Sequence, residues 1–400
     1  MIESLRVLMI APTPFFSDRG CHVRILEEVK ALQEEGAQIV VVTYPNGNDV
    51  AGIKTIRAGK WTRYNKAEAG PHVLKPFLDV LLFFKALETA WRFKPDVVHA
   101  HLHEGCLIGA PISKIFGVPL VFDYQGSFTR ELEQHGFIGS NNIVLKALLK
   151  LEKFTNNLPR AILPSSSVFE EDFKDLRKAE VFPLLDALDV DDFCGGKNDE
   201  IGDKRKVPRE RFLVGFLGLL NEYQGVDLLL DTIRYIKDMG RGEDFYFLVM
   251  GYPRVDEYMR KAEVLGINDI VEFTGRVAYS EAGKMLMLCD AAVAPKIAVT
   301  ESNGKVLDYM ACGLPTVAFD TKVNRELLGD AGLLVEWHGD VLHGAKNLAE
   351  ALIRLRDDGK LRKELSRKGK DRVRRLFGRK EAGKKLWSIY EKLTGGGEEE

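Results

Sequence analysis

The chain has 400 residues, 45% hydrophobic and 29% charged, the composition of an ordinary globular protein that divides into two domains of about 150 to 200 residues. A formal net charge of -2 excludes a global attraction to nucleic acid. Five cysteines, at 21, 106, 194, 289 and 312, form no C-x-x-C pair and are odd in number, which suits a reducing cytoplasm and argues against a disulfide framework or a cysteine-held metal.

The N-terminus runs straight into an apolar strand without a signal-like leader, so a cytoplasmic protein is expected. Short apolar runs predict strands at 5–10, 38–43, 97–101, 120–124 and 161–164, with helical patterns between them. Arg19 and Gly20 close a turn before a helix whose stripe is Val23, Leu26, Val29 and Leu32, and Gly36 stops it. The most apolar segment, 75–94, is broken by Asp79, Lys85 and Glu88 and falls short of the ~20 apolar residues that span a bilayer. Residues 189–206 turn charged and glycine-rich, as a linker does. A second α/β pattern follows, with strands at 212–217, 245–250, 270–273, 291–294, 315–319 and 332–335. The expected domains are 1–188 and 210–375, joined by a linker at 189–209; a helix at 376–393 returns to the first domain through Ala382, Leu386, Trp387 and Tyr390, and 394–400 is a frayed tail.

Alternating strands and helices imply parallel sheets, whose ligands bind beyond the carboxyl ends of the strands. The densest chemistry there is 301–315, ESNGKVLDYMACGLP. Asn303 and Gly304 can open a helix whose backbone N–H groups attract phosphate, Lys305 adds a full positive charge, and Asp308 sits at helical spacing, where a carboxylate can grip two ribose hydroxyls. The plain alternative is a helix start with a lysine–aspartate pair. His99, His101, His103 and Glu104 invite a metal reading, but only His99 and His101 must share a face of the strand, and no cysteine or second histidine cluster completes a closed site. No metal centre or cofactor is therefore expected. His103 and Glu104 fit an acceptor-binding loop, or else a hydrogen-bonded turn.

Five motifs run in order along the chain: Arg19-Gly20, DVVHAH at 96–101, FLGLLNEYQGVD at 216–227, VEFTGRV at 271–277 and YMACGLPTV at 309–317. Taken together they resemble the family 4 retaining glycosyltransferases of the GT-B fold, over almost the whole chain. The resemblance implies two Rossmann-like doubly wound parallel-sheet domains facing across a cleft, an acceptor domain followed by a donor domain, and transfer of a hexose from a nucleotide diphosphate sugar to a hydroxyl acceptor with its anomeric configuration kept. Glu301 would then meet the transferred sugar. Ser302, the backbone of Asn303 and Gly304, Gly218 and Asn221 would lie along the donor, Asp308 would bind the ribose, and Arg276 and Val277 would line the base. His101, His103, Glu104 and Gly126 would face a sugar, glycan or lipid-linked acceptor.

The chain also departs from the family. Leu219 and Gln224 stand where an arginine and a lysine usually hold the diphosphate; losing cations from a site where charge builds up can add several kcal/mol to the barrier. Lys296, Lys305 and Arg19 are the expected substitutes. Glu301 and Asp308 are one residue closer than the common acidic pair, and the second acid is the shorter aspartate. Gln125 replaces a histidine after the strand at 120–124; its amide does not titrate, so Asp123 is the candidate base, with Gln125 as a positioning group. These departures keep open a nucleotide-sugar-binding protein without transferase activity; a sugar nucleotide epimerase is a further alternative, which would need acid/base groups on both faces of the sugar, where Asp123 and Glu104 are weak candidates. The helices at 75–94 and 143–153 carry lysines at their edges, which suits either a peripheral contact with the inner membrane face or plain packing on the sheet.

Overall fold

The computed structural model describes residues 4–59, 74–134, 139, 143–176, 178–195, 208 and 210–395. The chain gathers into two compact units. One holds the chain up to Ala187, the short segment Thr300–Ser302 and everything from Arg379; the other holds Leu188–Val299 and Asn303–Gly378.

In the first unit the strands β1 (Arg6–Ala11), β2 (Gln38–Thr43), β3 (Thr55–Arg57), β4 (Val97–His101), β5 (Leu120–Tyr124), β6 (Ala161–Pro164) and β7 (Glu180–Val181) form one sheet. Its order is β3-β2-β1-β4-β5-β6-β7 and every neighbouring pair is parallel. The central strands read as unbroken apolar runs because helices cover both faces of such a sheet. Arg6 anchors the start of β1, its amide and guanidinium donating to Asp96 just before β4 at 2.8 and 3.0 Å. The short edge strands β3 and β7 lie outside the expected set; three and two residues carry too little pattern to be read.

The second unit repeats the plan with β8 (Phe212–Leu219), β9 (Phe245–Tyr252), β10 (Val271–Gly275), β11 (Ala291–Ala294), β12 (Thr316–Phe319) and β13 (Gly332–Val335), in the order β10-β9-β8-β11-β12-β13, again all parallel. β8 and β9 run two residues beyond the expected ends because Gly218 pairs with Gly251, where a Cβ would collide with the Gly218 carbonyl. In both sheets the order reverses beside the first strand, between β1 and β4 and between β8 and β11. A doubly wound sheet opens its ligand crevice at that point.

Two boundaries differ from the sequence expectation. Residues 190–194 are a helix of the second unit, Val190–Cys194, capped by Asp189, whose side chain accepts from the amides of Asp191 and Asp192 at 2.9 and 3.0 Å. Phe193 seats it against Gly283, where any Cβ would strike the Phe193 carbonyl. Residues 196–207 and 209 of the expected linker, and 396–400 of the expected tail, lie outside the described residues. The last helix, Arg379–Thr394, belongs to the first unit and packs on the helix Gly20–Glu34, but it buries Gly383, Leu386, Ile389, Tyr390 and Leu393, while Ala382 and Trp387 are half-buried. Gly383 turns the face, since a side chain there would meet the Ala31 carbonyl.

Candidate functional site

In the second unit the motif residues gather beyond the ends of β8 and β11. The chain leaves β11 through Lys296, which is 4% exposed, and re-enters regular structure at the helix Lys305–Ala311 with Gly304 as its N-cap. Lys305 reaches back to the end of β8: its Nζ donates to Gln224 Oε1 at 2.7 Å, lies 4.4 Å from the Phe216 ring centre, and sits where a Cβ on Gly218 would come within 2.6 Å of it. Gly218 (φ +153°) is thus required twice, for its backbone and for the lysine beside it. Asn221 shapes the same loop, its Oδ1 accepting from the Gln224 amide at 3.0 Å. Gly225, at φ +76°, lets the loop press on the Pro295 carbonyl.

The Asn303 side chain turns inward, donating to Asn324 Oδ1 at 3.0 Å, while Asn324 in turn donates to the Phe319 carbonyl at 2.8 Å. This engages the amide nitrogen of Asn303, while its Oδ1 has no hydrogen-bond partner among the described residues. Asp308 is half-buried, one turn after Lys305, and Arg276 lies exposed with its guanidinium 5.2 Å from the Tyr252 ring centre; Val277 beside it is half-buried. The hydroxyl of Tyr309 accepts from the Leu217 amide at 2.8 Å, tying this helix to β8.

In the first unit the organising residue is Arg24, which the sequence reading did not single out. It lies on the helix Gly20–Glu34, nearly fully buried, and contacts three carboxylates: Asp123 at 2.7 Å, Asp186 at 3.0 Å and Glu28 at 3.2 Å. Asp186 accepts a second hydrogen bond, from the Ser302 hydroxyl at 2.6 Å. The Ser302 side chain is therefore engaged within the first unit. Gly126 and Glu301 form an antiparallel bridge, with Gly126 at φ +142° and facing the Thr300 carbonyl, so its close approach serves the backbone that carries Glu301. Thr300 adds a hydrogen bond to Gln134 at 3.1 Å. Arg19 is the N-cap of its helix and Gly20 opens it, exposed, with open space where a side chain would stand.

Asp123 departs from the role of base. It is wholly buried, and although burial by itself would raise its pKa, Arg24 and then His101 outweigh this and hold the carboxylate well below its usual range. A carboxylate so stabilised is a weak proton acceptor. It acts as an anchor instead, taking hydrogen bonds from Gln125 Nε2 at 2.6 Å and from His101 Nδ1 at 2.8 Å. Burial and the nearby Asp123 push the Glu28 carboxyl the other way, well above its ordinary value, with Arg24 opposing.

The acceptor expectations for the histidines also change. His101 is fully buried and His103 is 8% exposed, packed edge-on against Phe122 and Tyr124 with Nε2 3.5 Å from Glu152. Glu152 would be raised by burial, but His103, Thr129 and Ser127 bring it down to about 2. Glu104 pairs with Lys75. His103 thus ties its helix to the sheet and to the helix Ile143–Thr155, and Glu104 ties the helix Leu102–Phe116 to the helix Lys75–Phe93. Arg24 pairs with Glu28 at the i, i+4 spacing of one helix, but its contacts with Asp123 and Asp186, and those of Glu152 with His103, Ser127 and Thr129, join residues distant in sequence that no spacing rule reveals.

Residues 19–183 match the glycosyl transferase 4-like domain and residues 211–358 the glycosyl transferases group 1 domain. The sequence is 32% identical over 389 residues to the phosphatidyl-myo-inositol mannosyltransferase of Mycobacterium leprae, covering 93% of this chain and 92% of that one. In structure it is similar to sucrose-phosphate synthase from Thermosynechococcus elongatus, with a TM-score of 0.79 at 16% identity over 98% of this chain and 99% of that one. It is also similar to HepE of Anabaena in complex with UDP-glucose, at a TM-score of 0.75 and 16% identity over 97% and 100%. These two likenesses are of fold alone. With both units matched, and with a relative of that identity along nearly the whole length, the chain belongs to the glycosyl transferases of group 1 and carries the two Rossmann-like sheets of the GT-B fold.

Proposed function

We propose that this glycosyltransferase retains anomeric configuration and moves a hexose from a nucleoside diphosphate sugar, held by the second unit, to a hydroxyl of a lipid-linked or glycan acceptor, with no metal ion in the transfer step. The observation that carries the reading is Lys305, a cation held by Gln224 over Phe216 at the end of β8, where the order of the sheet reverses. Gln224 stands where the family has a lysine, and here it steers a lysine from another element to the diphosphate. Glu301 meets the sugar and Asp308 the ribose. As the bond from C1 to the diphosphate breaks, the acceptor oxygen bonds to C1 on the same face and its proton passes to the departing phosphate oxygen. That route needs no strong protein base, in keeping with a buried Asp123 and a neutral Gln125.

The lipid-linked class of acceptor is supported by the mycobacterial relative, a phosphatidyl-myo-inositol mannosyltransferase. It is also supported by the surface of the first unit. The helix Ile143–Thr155 exposes Ile143, Val144, Leu149, Leu151 and Phe154 among Lys146, Lys150 and Lys153, and the helix Lys75–Phe93 exposes Phe77, Val80, Phe84 and Trp91. Apolar side chains flanked by lysines suit a peripheral contact with anionic lipid. No helix among the described residues is long and apolar enough to cross a membrane.

The test is calorimetry and thermal shift with UDP, GDP, ADP and TDP and their hexose conjugates, with and without magnesium, followed by transfer assays on phosphatidylinositol vesicles. Metal-independent binding of one nucleotide, lost in Lys305→Ala, is expected. A folded protein that binds none of them would turn the reading toward a chain that has lost the donor.

A further inference from the structure

Two histidines on one strand and a glutamate on the first helix form a cluster that the transfer reaction does not use. His99 and His101 are alternate residues of β4, so their side chains leave the same face of the sheet. Their rings stack with centres 4.5 Å apart and planes 22° apart. Nδ1 of each ring is held by an oxygen, that of His99 by the Tyr390 hydroxyl at 2.5 Å and that of His101 by Asp123 at 2.8 Å. Neither Nε2 has a hydrogen-bond partner among the described residues, and neither oxygen of Glu28 accepts a hydrogen bond from them. Glu28 Oε2 nevertheless lies 3.4 Å from His99 Nε2, and one donor atom from each of the three residues lies within 4.8 Å of the others. All three side chains are buried, none more than 4% exposed.

We propose that Glu28, His99 and His101 bind a divalent transition-metal ion, zinc by the nature of the donors, as a structural site inside the first unit. Two imidazoles and a carboxylate are a zinc donor set, and ligand atoms at ~2.0 to 2.1 Å from a tetrahedral ion stand roughly 3.3 Å apart, close to the separation of Glu28 and His99. The surroundings are those that orient metal ligands: a carboxylate on His101, a hydroxyl on His99, and Arg24 3.2 Å from the other oxygen of Glu28. Charge points the same way. Three carboxylates, Glu28, Asp123 and Asp186, face the single guanidinium of Arg24, and a divalent cation cancels that excess where buried charge is costly. The sequence expectation of no metal centre considered His103 and Glu104 as the partners; the fold sends those two elsewhere and brings Glu28 instead. Through Tyr390 the site also touches the last helix, so the ion would join that helix, the first helix and β4.

The experiment uses the full-length protein purified without a histidine tag. Mass-spectrometric metal analysis after dialysis is expected to find one zinc per chain. After chelation, cobalt is expected to produce the visible absorption of a tetrahedral nitrogen and oxygen site, and zinc or cobalt to raise Tm by several degrees. Glu28→Gln and His101→Asn are expected to abolish both signals. The double variant His338→Ala, His343→Ala is expected to keep them, because it removes only the stacked surface pair, which could hold a stray ion. Wild-type protein that carries no metal and gives neither absorption nor a Tm shift overturns the proposal, even if the buried variants fail to fold. Retention of full metal by folded Glu28→Gln overturns the ligand assignment.

Discussion

Lys305 is the residue on which the donor reading turns, and its setting makes the effect of removing it specific. Its contact with Gln224 and the Phe216 ring holds the ammonium at the strand end before any donor arrives, so little ordering is left for binding. Lys305→Ala is expected to weaken nucleotide binding by about 1.5 to 3 kcal/mol, the worth of a hydrogen bond to a charged group, and to cut kcat by about 100- to 1000-fold; calorimetry and steady-state kinetics measure the two. Gln224→Lys restores the family residue but sets two ammonium groups against each other. The ligand-free variant is expected to melt lower than wild type and to gain more Tm from a saturating nucleoside diphosphate, and equal gains in both would remove the phosphate role of Lys305. Gly126→Ala tests the backbone that carries Glu301. With φ at +142° and the Thr300 carbonyl in the way, the methyl group must break the bridge, so transfer should fall with nucleotide affinity nearly unchanged.

At the scale of elements, the last helix is held on the first by more than apolar contact. Arg379 opens the helix Arg379–Thr394 and is 5% exposed, with Nε 2.6 Å from Glu27 and Nη1 3.2 Å from Glu34, both on the helix Gly20–Glu34. Removing one partner of a buried pair strands the other, so Arg379→Ala is expected to destabilise the first unit by about 3 to 5 kcal/mol, while the apolar pair Arg379→Met, Glu27→Leu should recover most of that loss. Chemical denaturation of the three variants, followed by near-ultraviolet circular dichroism, measures both effects. The helix Ile143–Thr155 is tied in a comparable way, because Glu152 accepts from the Ser127 hydroxyl at 3.1 Å and the Thr129 amide at 3.2 Å.

For the whole molecule, two units with separate sheets are expected to unfold in more than one step, and acid should act on the first unit in particular. Glu152 falls to about 2 in the folded chain, so its stabilisation is complete above the ordinary glutamate value and is lost as pH drops from about 4.5 toward 2, up to about 3 kcal/mol. His22 is held well below its ordinary value by burial and then by Arg19, so the unfolded chain takes up its proton first and stability begins to fall as pH drops below about 6.5. Asp79, raised to about 6 by burial, works in the opposite sense, since its unfavourable ionisation costs stability as pH rises from about 4 to 6. Tm measured between pH 3 and 8 should therefore decline on the acid side, and Glu152→Gln should start lower and show a flatter decline below pH 4.5.

The sequence by itself determined the architecture. Short apolar runs that alternate with helical patterns along the chain pointed to buried parallel strands, and β2, β4, β5, β6, β11 and β13 have the expected ends. Local chemistry also made the 301–315 segment legible, because Gly304, Lys305 and Asp308 are near each other in the chain. Tertiary structure alone decided what the first unit does with its charges. Arg24 meets Asp123 and Asp186 across 99 and 162 residues, and those partners, with the burial they share, turned Asp123 from a candidate base into an anchor and withdrew His101 from the surface. A pKa depends on neighbours brought together by folding, and no periodicity along the chain records them.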